Sequence, residues 1–113
     1  MLDINIARDG SIILVEVNGR VDSMTANQFG EALNKALDDG DSNVVVDLGG
    51  VEFMSSAGLR EIVAALKKAK RAAGDLRVAE PTDRVMEVFE MAGLDTILQI
   101  FQSTQEAVGS WNV

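Results

Sequence analysis

Apolar and polar residues alternate at the start of the chain, in Leu2-Asp3-Ile4-Asn5-Ile6-Ala7. A period of two is the pattern of a strand buried on one face. Arg8-Asp9-Gly10 reads as a turn, and Ile12–Val17 as a second strand. So short a connection predicts an antiparallel hairpin. The period then changes: Ala26, Phe29, Leu33, Ala36 and Leu37 recur at helical spacing and give one apolar face. Thr25 and Gln28 fit a capping box ahead of it, with Asp22 and Ser23 as alternative caps. Gly40 is the predicted stop. Asp38 and Asp39 at that end oppose the helix dipole, and the sequence offers no reason for them.

Val44-Val45-Val46 are β-branched and contiguous, which predicts a strand over 44–48 buried on both faces. Gly49-Gly50 reads as the break after it, and Val51, Phe53 and Met54 return the chain to the core. Leu59, Ile62, Val63, Leu66, Ala69 and Ala73 then mark a long helix from about Ser56 to Ala73, opened by a serine cap and stopped at Gly74. Leu76–Ala79 is a short strand. Pro81 or Thr82 opens a third helix, with Val85, Val88, Phe89 and Ala92 on its apolar face and Gly93 at its end. Ile97–Phe101 is a last strand. Ser103 and Glu106 form another capping box, so a short helix follows and ends at Gly109. Residues 110–113 read as a flexible tail.

The order β-β-α-β-α-β-α-β-α predicts an α/β fold in a single domain over 1–109. Strands separated by helices pair in parallel through right-handed crossovers, so the expected sheet is mixed but mostly parallel, with about five strands packed against helices.

Charge and composition narrow the function. Ten basic and 18 acidic residues give a net charge of −8. Nucleic acid is an unsuitable partner for such a chain, because that affinity comes mainly from Lys and Arg on phosphates. The basic run Lys67-Lys68-Ala69-Lys70-Arg71 sits in the last turns of the long helix, where cations complement the dipole. No apolar run approaches the roughly 20 residues of a membrane helix, and the N-terminus has no signal-peptide pattern. The expected location is the cytoplasm, away from the membrane.

Cysteine and histidine are both absent, which removes thiolate chemistry and the commonest general base and metal ligand. Ser55 and Ser56 therefore lack an activating histidine. Lys67 and Lys68 lie roughly 16 Å or more along the helix by its rise per residue, so the chain is not expected to be an enzyme. Gly49-Gly50 stands where a phosphate loop could, but neither the Walker pattern nor GxGxxG is present. Asp22, Asp47 and Glu52 could hold Mg²⁺ with waters. They read more simply as a helix cap, a turn acceptor and an exposed side chain, so neither metal nor cofactor is expected.

The stretch Asp47-Leu48-Gly49-Gly50-Val51-Glu52-Phe53-Met54-Ser55-Ser56-Ala57-Gly58-Leu59 resembles the anti-anti-sigma factors of the STAS domain family, in which a strand ending in Asp-Leu leads through an apolar loop to D/S-S-x-G-L. Gly19-Arg20-Val21-Asp22-Ser23 carries the likeness further, as does the order of elements over nearly the whole chain. The resemblance implies the STAS fold and a bacterial role in signal transduction and transcription regulation. It implies a protein that binds an anti-sigma factor, itself a serine kinase, while a loop serine is unmodified. Phosphorylation then releases it, and a serine phosphatase restores it. Carried over by position, Ser56 is the phosphoacceptor and Ser55 the second choice. Asp22, Ser23, Ser55, Ser56, Ala57, Gly58 and Leu59 form the partner surface. Two positions depart from the pattern: Ser55 stands where aspartate is usual, and Ala57 where some members carry the acceptor serine. The resemblance leaves two alternatives: a phosphorylation-independent STAS scaffold in a signalling assembly, and a STAS domain holding a nucleotide or lipid in a pocket by Gly49-Gly50.

Overall fold

The computed structural model describes residues 2–38 and 42–111. Strands β1 (Leu2–Asp9) and β2 (Ile12–Val21) form the antiparallel hairpin, in register from Leu2 opposite Gly19 to Asp9 opposite Ile12. Strand β3 (Asn43–Met54) lies parallel to β2, and β4 (Asp75–Ala79) and β5 (Gln99–Phe101) extend the sheet in parallel. The spatial order is β1-β2-β3-β4-β5, so β1 is the antiparallel edge. Among the described residues four α-helices connect and cover the sheet: α1 (Ala26–Asp38), α2 (Ser56–Arg71), α3 (Asp83–Met91) and α4 (Thr104–Gly109). This is the mixed, mostly parallel five-stranded α/β arrangement that the hydrophobic periods predict.

The two faces of the sheet are unequal. On one, Phe29 and Leu33 of α1, Ile62 and Leu66 of α2, and Val85 and Phe89 of α3 pack on Val15, Val17, Val44, Val46, Leu48, Leu76 and Val78. On the other, a smaller cluster of Ile12, Val45, Ala79 and Ala107 lies under α4. The contiguous valines of β3 thus serve both layers, as residues pointing alternately to either face must. Among the described residues no helix is long and apolar enough to cross a membrane.

Long-range contacts change several local expectations. Gly49-Gly50 does not end β3. Beyond Asp47 the strand has lost β4 but still has β2, and pairing resumes with Asn18 opposite Gly50 and runs to Val21 opposite Met54, across two register shifts at which β3 carries the extra residue. Gln28 does not complete a capping box; its amide donates to the Leu2 carbonyl (3.0 Å) and ties α1 to the edge strand. Asp38 ends α1 because Lys68 of α2 meets it at 2.6 Å; Asp39 and Gly40 lie outside the described residues. After α2, Ala73 takes the left-handed conformation (φ 65°) expected of Gly74. Gly74 is needed for space instead: a Cβ there would collide with the Ser42 backbone. Ile97 and Leu98 donate to the Leu94 carbonyl and close a short 3-10 turn, which leaves only Gln99–Phe101 in β5.

Where the sequence suggests a loose tail, Ser110 and Trp111 are held. Arg77 Nη1 donates to Ser110 Oγ (2.6 Å), and the guanidinium sits 3.8 Å from the centroid of the Trp111 ring. Arg77 is fixed in turn by Asp75, whose buried carboxylate accepts from Arg77 Nε at 2.9 Å and meets Lys70 at 3.2 Å. Asn112 and Val113 lie outside the described residues.

Candidate functional site

The first turn of α2 rests against the end of β2. Ser55 is its N-cap, in extended conformation (φ −88°, ψ 172°). The Ser55 N–H donates to the Val21 carbonyl (2.8 Å), and the Ser55 carbonyl accepts from the Leu59 N–H (3.1 Å). These bonds fix the residue's orientation and turn its side chain inward. Ser55 Oγ is buried and has no hydrogen-bond partner, so it does not perform the capping expected of a serine here. Ser56, the first helical residue, is exposed, and Ala57 is half-buried. Gly58 and Leu59 are buried against the sheet end. A Cβ on Gly58 would strike Met54 Sδ and stand 2.6 Å from Val21 Cγ1, so only glycine lets α2 approach this closely.

The loop after β2 is held by Asp22. Its Oδ1 accepts from the Met24 N–H (2.9 Å) and the Thr25 N–H (3.2 Å), while its carbonyl accepts from Ala26 (2.9 Å). Thr25 Oγ1 accepts from the Asp22 N–H (2.9 Å) and donates to the Arg20 carbonyl (2.8 Å). The donated hydrogen bonds, that of Met24 foremost, hold the Asp22 carboxyl below its ordinary range. Asp22 thus closes the turn over residues 22–25 that leads into α1, which itself begins at Ala26. Ser23 and Met24 stand exposed at the tip of the loop, Met24 at 91%. Beside them the Arg20 guanidinium lies 4.7 Å from the Phe53 ring centroid. Val21 joins the two halves of the site, since it accepts from Ser55, packs at Gly58 and precedes Asp22.

Other residues singled out in the sequence fall elsewhere. Asp47 points to the opposite face of the sheet, and its Oδ1 accepts from the Gly49 N–H (2.9 Å). Burial, opposed by that bond, raises its carboxyl above the ordinary range, with repulsion from Glu80 and Glu16 added. Glu52 is exposed. Among the described residues no three carboxylates gather as a metal site would require. The basic run divides. Lys68 and Lys70 are engaged by Asp38 and Asp75, whereas Lys67 and Arg71 line a groove. This groove, about 570 Å³, runs beside α2 from Ser56 and Leu59 to Arg71 and is closed by Ala92 and Leu94. Reading the run as a helix-end cluster missed it. The signal was present in Ser56, Arg60, Val63 and Lys67, spaced four, three and four apart on one helical face.

The sequence profile of the STAS domain matches residues 3–107. The chain belongs to the STAS domain family. BtrV of Bordetella bronchiseptica, named as a candidate anti-sigma factor antagonist, is 34% identical over 103 residues, which are 91% of this chain and 88% of BtrV. The fold matches an anti-sigma factor antagonist from Mycobacterium paratuberculosis with a TM-score of 0.90 at 23% identity, covering 97% of this chain and 93% of that one. It also matches the Bacillus cell fate determinant SpoIIAA at 16% identity. For the unphosphorylated form of SpoIIAA the TM-score is 0.84, over 97% of this chain and 96% of that one; for the phosphorylated form it is 0.75, over 96% and 98%. At such identities the structural likeness establishes the STAS fold alone. In this STAS domain the motif serines occupy the N-cap and first turn of α2.

Proposed function

We propose that this STAS domain is an anti-sigma factor antagonist. It acts without catalysis in the cytoplasm, by binding an anti-sigma factor that is also a serine kinase. The binding surface is the first turn of α2, Ser55–Leu59, with Asp22 and Ser23 of the neighbouring loop. Phosphorylation of Ser56 ends the binding, and a serine phosphatase restores it. One observation carries the choice of residue: Ser56 is exposed while the Ser55 hydroxyl is buried, so only one of the adjacent serines is open to a kinase. The name given to BtrV supports the class of function, and SpoIIAA, a relative by fold, exists in a phosphorylated and an unphosphorylated form.

A phosphate adds about −1.5 to −2 charge at neutral pH. Set into an interface shaped for a hydroxyl, it costs about 3 kcal/mol, or roughly 150-fold in affinity. The isolated fold tolerates it, because the helix N-terminus favours an anion. The mechanism is therefore loss of a complex without a change of fold. The test is capture of partners from native lysate by wild type, Ser56→Ala and Ser56→Asp, read by mass spectrometry. A protein with a kinase-type ATP-binding domain is expected on the first two baits and not on Ser56→Asp. Equal capture by all three, or unfolding of Ser56→Asp, sinks the switch.

A second reading has its own observation. Ala57 stands where some relatives carry the acceptor and Ser55 where an aspartate is usual, which favours a scaffold that binds without phosphorylation. Absence of phosphate from the native peptide spanning Ser55 and Ser56 would select it.

A further inference from the structure

Lys67 and Arg71 belong to a stripe that the proposed switch does not use. Ser56, Arg60, Val63, Lys67 and Arg71 follow one another along the outer side of α2 over about 22 Å, taking 1.5 Å per residue. Arg60, Lys67 and Arg71 are exposed, and none makes an ion pair among the described residues. Between them and the corner after α3 runs the 570 Å³ groove, with apolar Leu59, Val63 and Leu94 in its lining. Three uncompensated cations on one line are notable in a chain of net charge −8. An extended polyanion such as RNA would meet the acidic remainder of the surface, whereas a short segment confined to the groove would not.

We infer that the groove along α2 docks an acidic amphipathic helix of the protein partner, its apolar stripe against Val63 and Leu94 and its carboxylates on Arg60, Lys67 and Arg71. This rests on the antagonist reading and deepens it, because Ser56 heads the same groove. A phosphate on Ser56 would stand one turn before Arg60, in the favourable acid-to-base order at i and i+4. It would then take that cation from the partner. Modification would thereby weaken a contact that extends well beyond the serine.

The test uses the full chain with the photo-crosslinker p-benzoylphenylalanine in place of exposed Ala64, which lines the groove. A second bait carries it in place of Met24, on the loop beside Ser56. Both are irradiated in native lysate, and the attached peptides are sequenced. The Ala64 bait is expected to capture a segment with net negative charge and apolar residues at helical spacing, in the same protein that the Met24 bait captures. Adding Lys67→Glu and Arg71→Glu to the Ala64 bait should cut the yield about tenfold at low salt. Lys67→Gln with Arg71→Gln should cut it less, and far-ultraviolet circular dichroism verifies that both pairs fold. Capture by the Met24 bait alone, a neutral or basic segment at Ala64, or a yield indifferent to the charge changes overturns the groove and leaves the antagonist reading standing. Failure of both baits overturns both.

Discussion

Replacing Gly58 by alanine tests whether the site is built by close approach. In a helix interior the change should help, since alanine exceeds glycine by about 1 kcal/mol in helix propensity. Here the new methyl would meet Met54 Sδ and Val21 Cγ1, the latter at 2.6 Å. Met54 can shift a flexible sulfur, but it is buried at 2% exposure, and Val21 is fully buried, stiff and held in the sheet. Overpacking of this kind costs about 1–3 kcal/mol. With the propensity gain subtracted, a net loss of about 1 kcal/mol remains, or about 4 °C in midpoint for a chain of this size. The relief available to the structure is to move α2 outward, which lengthens the 2.8 Å bond from Ser55 to the Val21 carbonyl and displaces Ser56 from the Asp22 loop. Gly109→Ala is the matched control. It ends α4, a methyl group there would meet nothing within 4 Å, and the change should raise the midpoint. Thermal unfolding followed at 222 nm reads both. If Gly58→Ala is as stable as wild type, or rises together with Gly109→Ala, the tight seat of α2 against Val21 is wrong.

Three further outcomes follow from single side chains. Ser55→Ala should leave stability unchanged or raise it by about 0.5 kcal/mol in denaturant titration, because it removes a buried hydroxyl that has no partner rather than a working cap. A loss of about 1 kcal/mol would mean the hydroxyl does cap the helix. Asp47→Asn retains an acceptor for Gly49 and removes a carboxylate raised by burial and by Glu80 and Glu16. A raised acid favours the fold below its unfolded value and loses that benefit as pH rises through the folded value. The variant should therefore melt about 2 °C higher at pH 7 and lose its advantage once the wild-type carboxyl is protonated; an advantage that persists in acid contradicts the cause. Trp111→Ala should cost about 1 kcal/mol through loss of the ring over Arg77, with a lower thermal midpoint as the readout, and no change would mean that the C-terminal residues are unanchored.

Features that depend on neighbours in sequence were legible, and those that depend on distant partners were not. The periods of two and 3.6, the two-sided burial of Val44–Val46 and the cap at Ser103, whose hydroxyl accepts from the Glu106 N–H, all follow from short-range chemistry. Gly49-Gly50 misled because the local rule treats glycine as a break, whereas β2 stays alongside and keeps β3 paired. Asp38 looked unfavourable within α1 because its partner, Lys68, is 30 residues away. The same blindness affected the site. Ser55 and Ser56 are chemically alike and adjacent, so the motif can rank them only by resemblance. The fold separates them physically: the Ser55 backbone is pinned to Val21, which buries its hydroxyl, and the next residue starts the helix on the open side. The net acidic charge likewise concealed a line of three cations. Half of the basic run is consumed by Asp38 and Asp75, and which half becomes visible only when α1 and β4 are set beside α2. A partner that reads this face meets the first turn of α2 and the cationic line together. For that reason charge placed at Ser56 should act on the whole contact and not on one hydrogen bond.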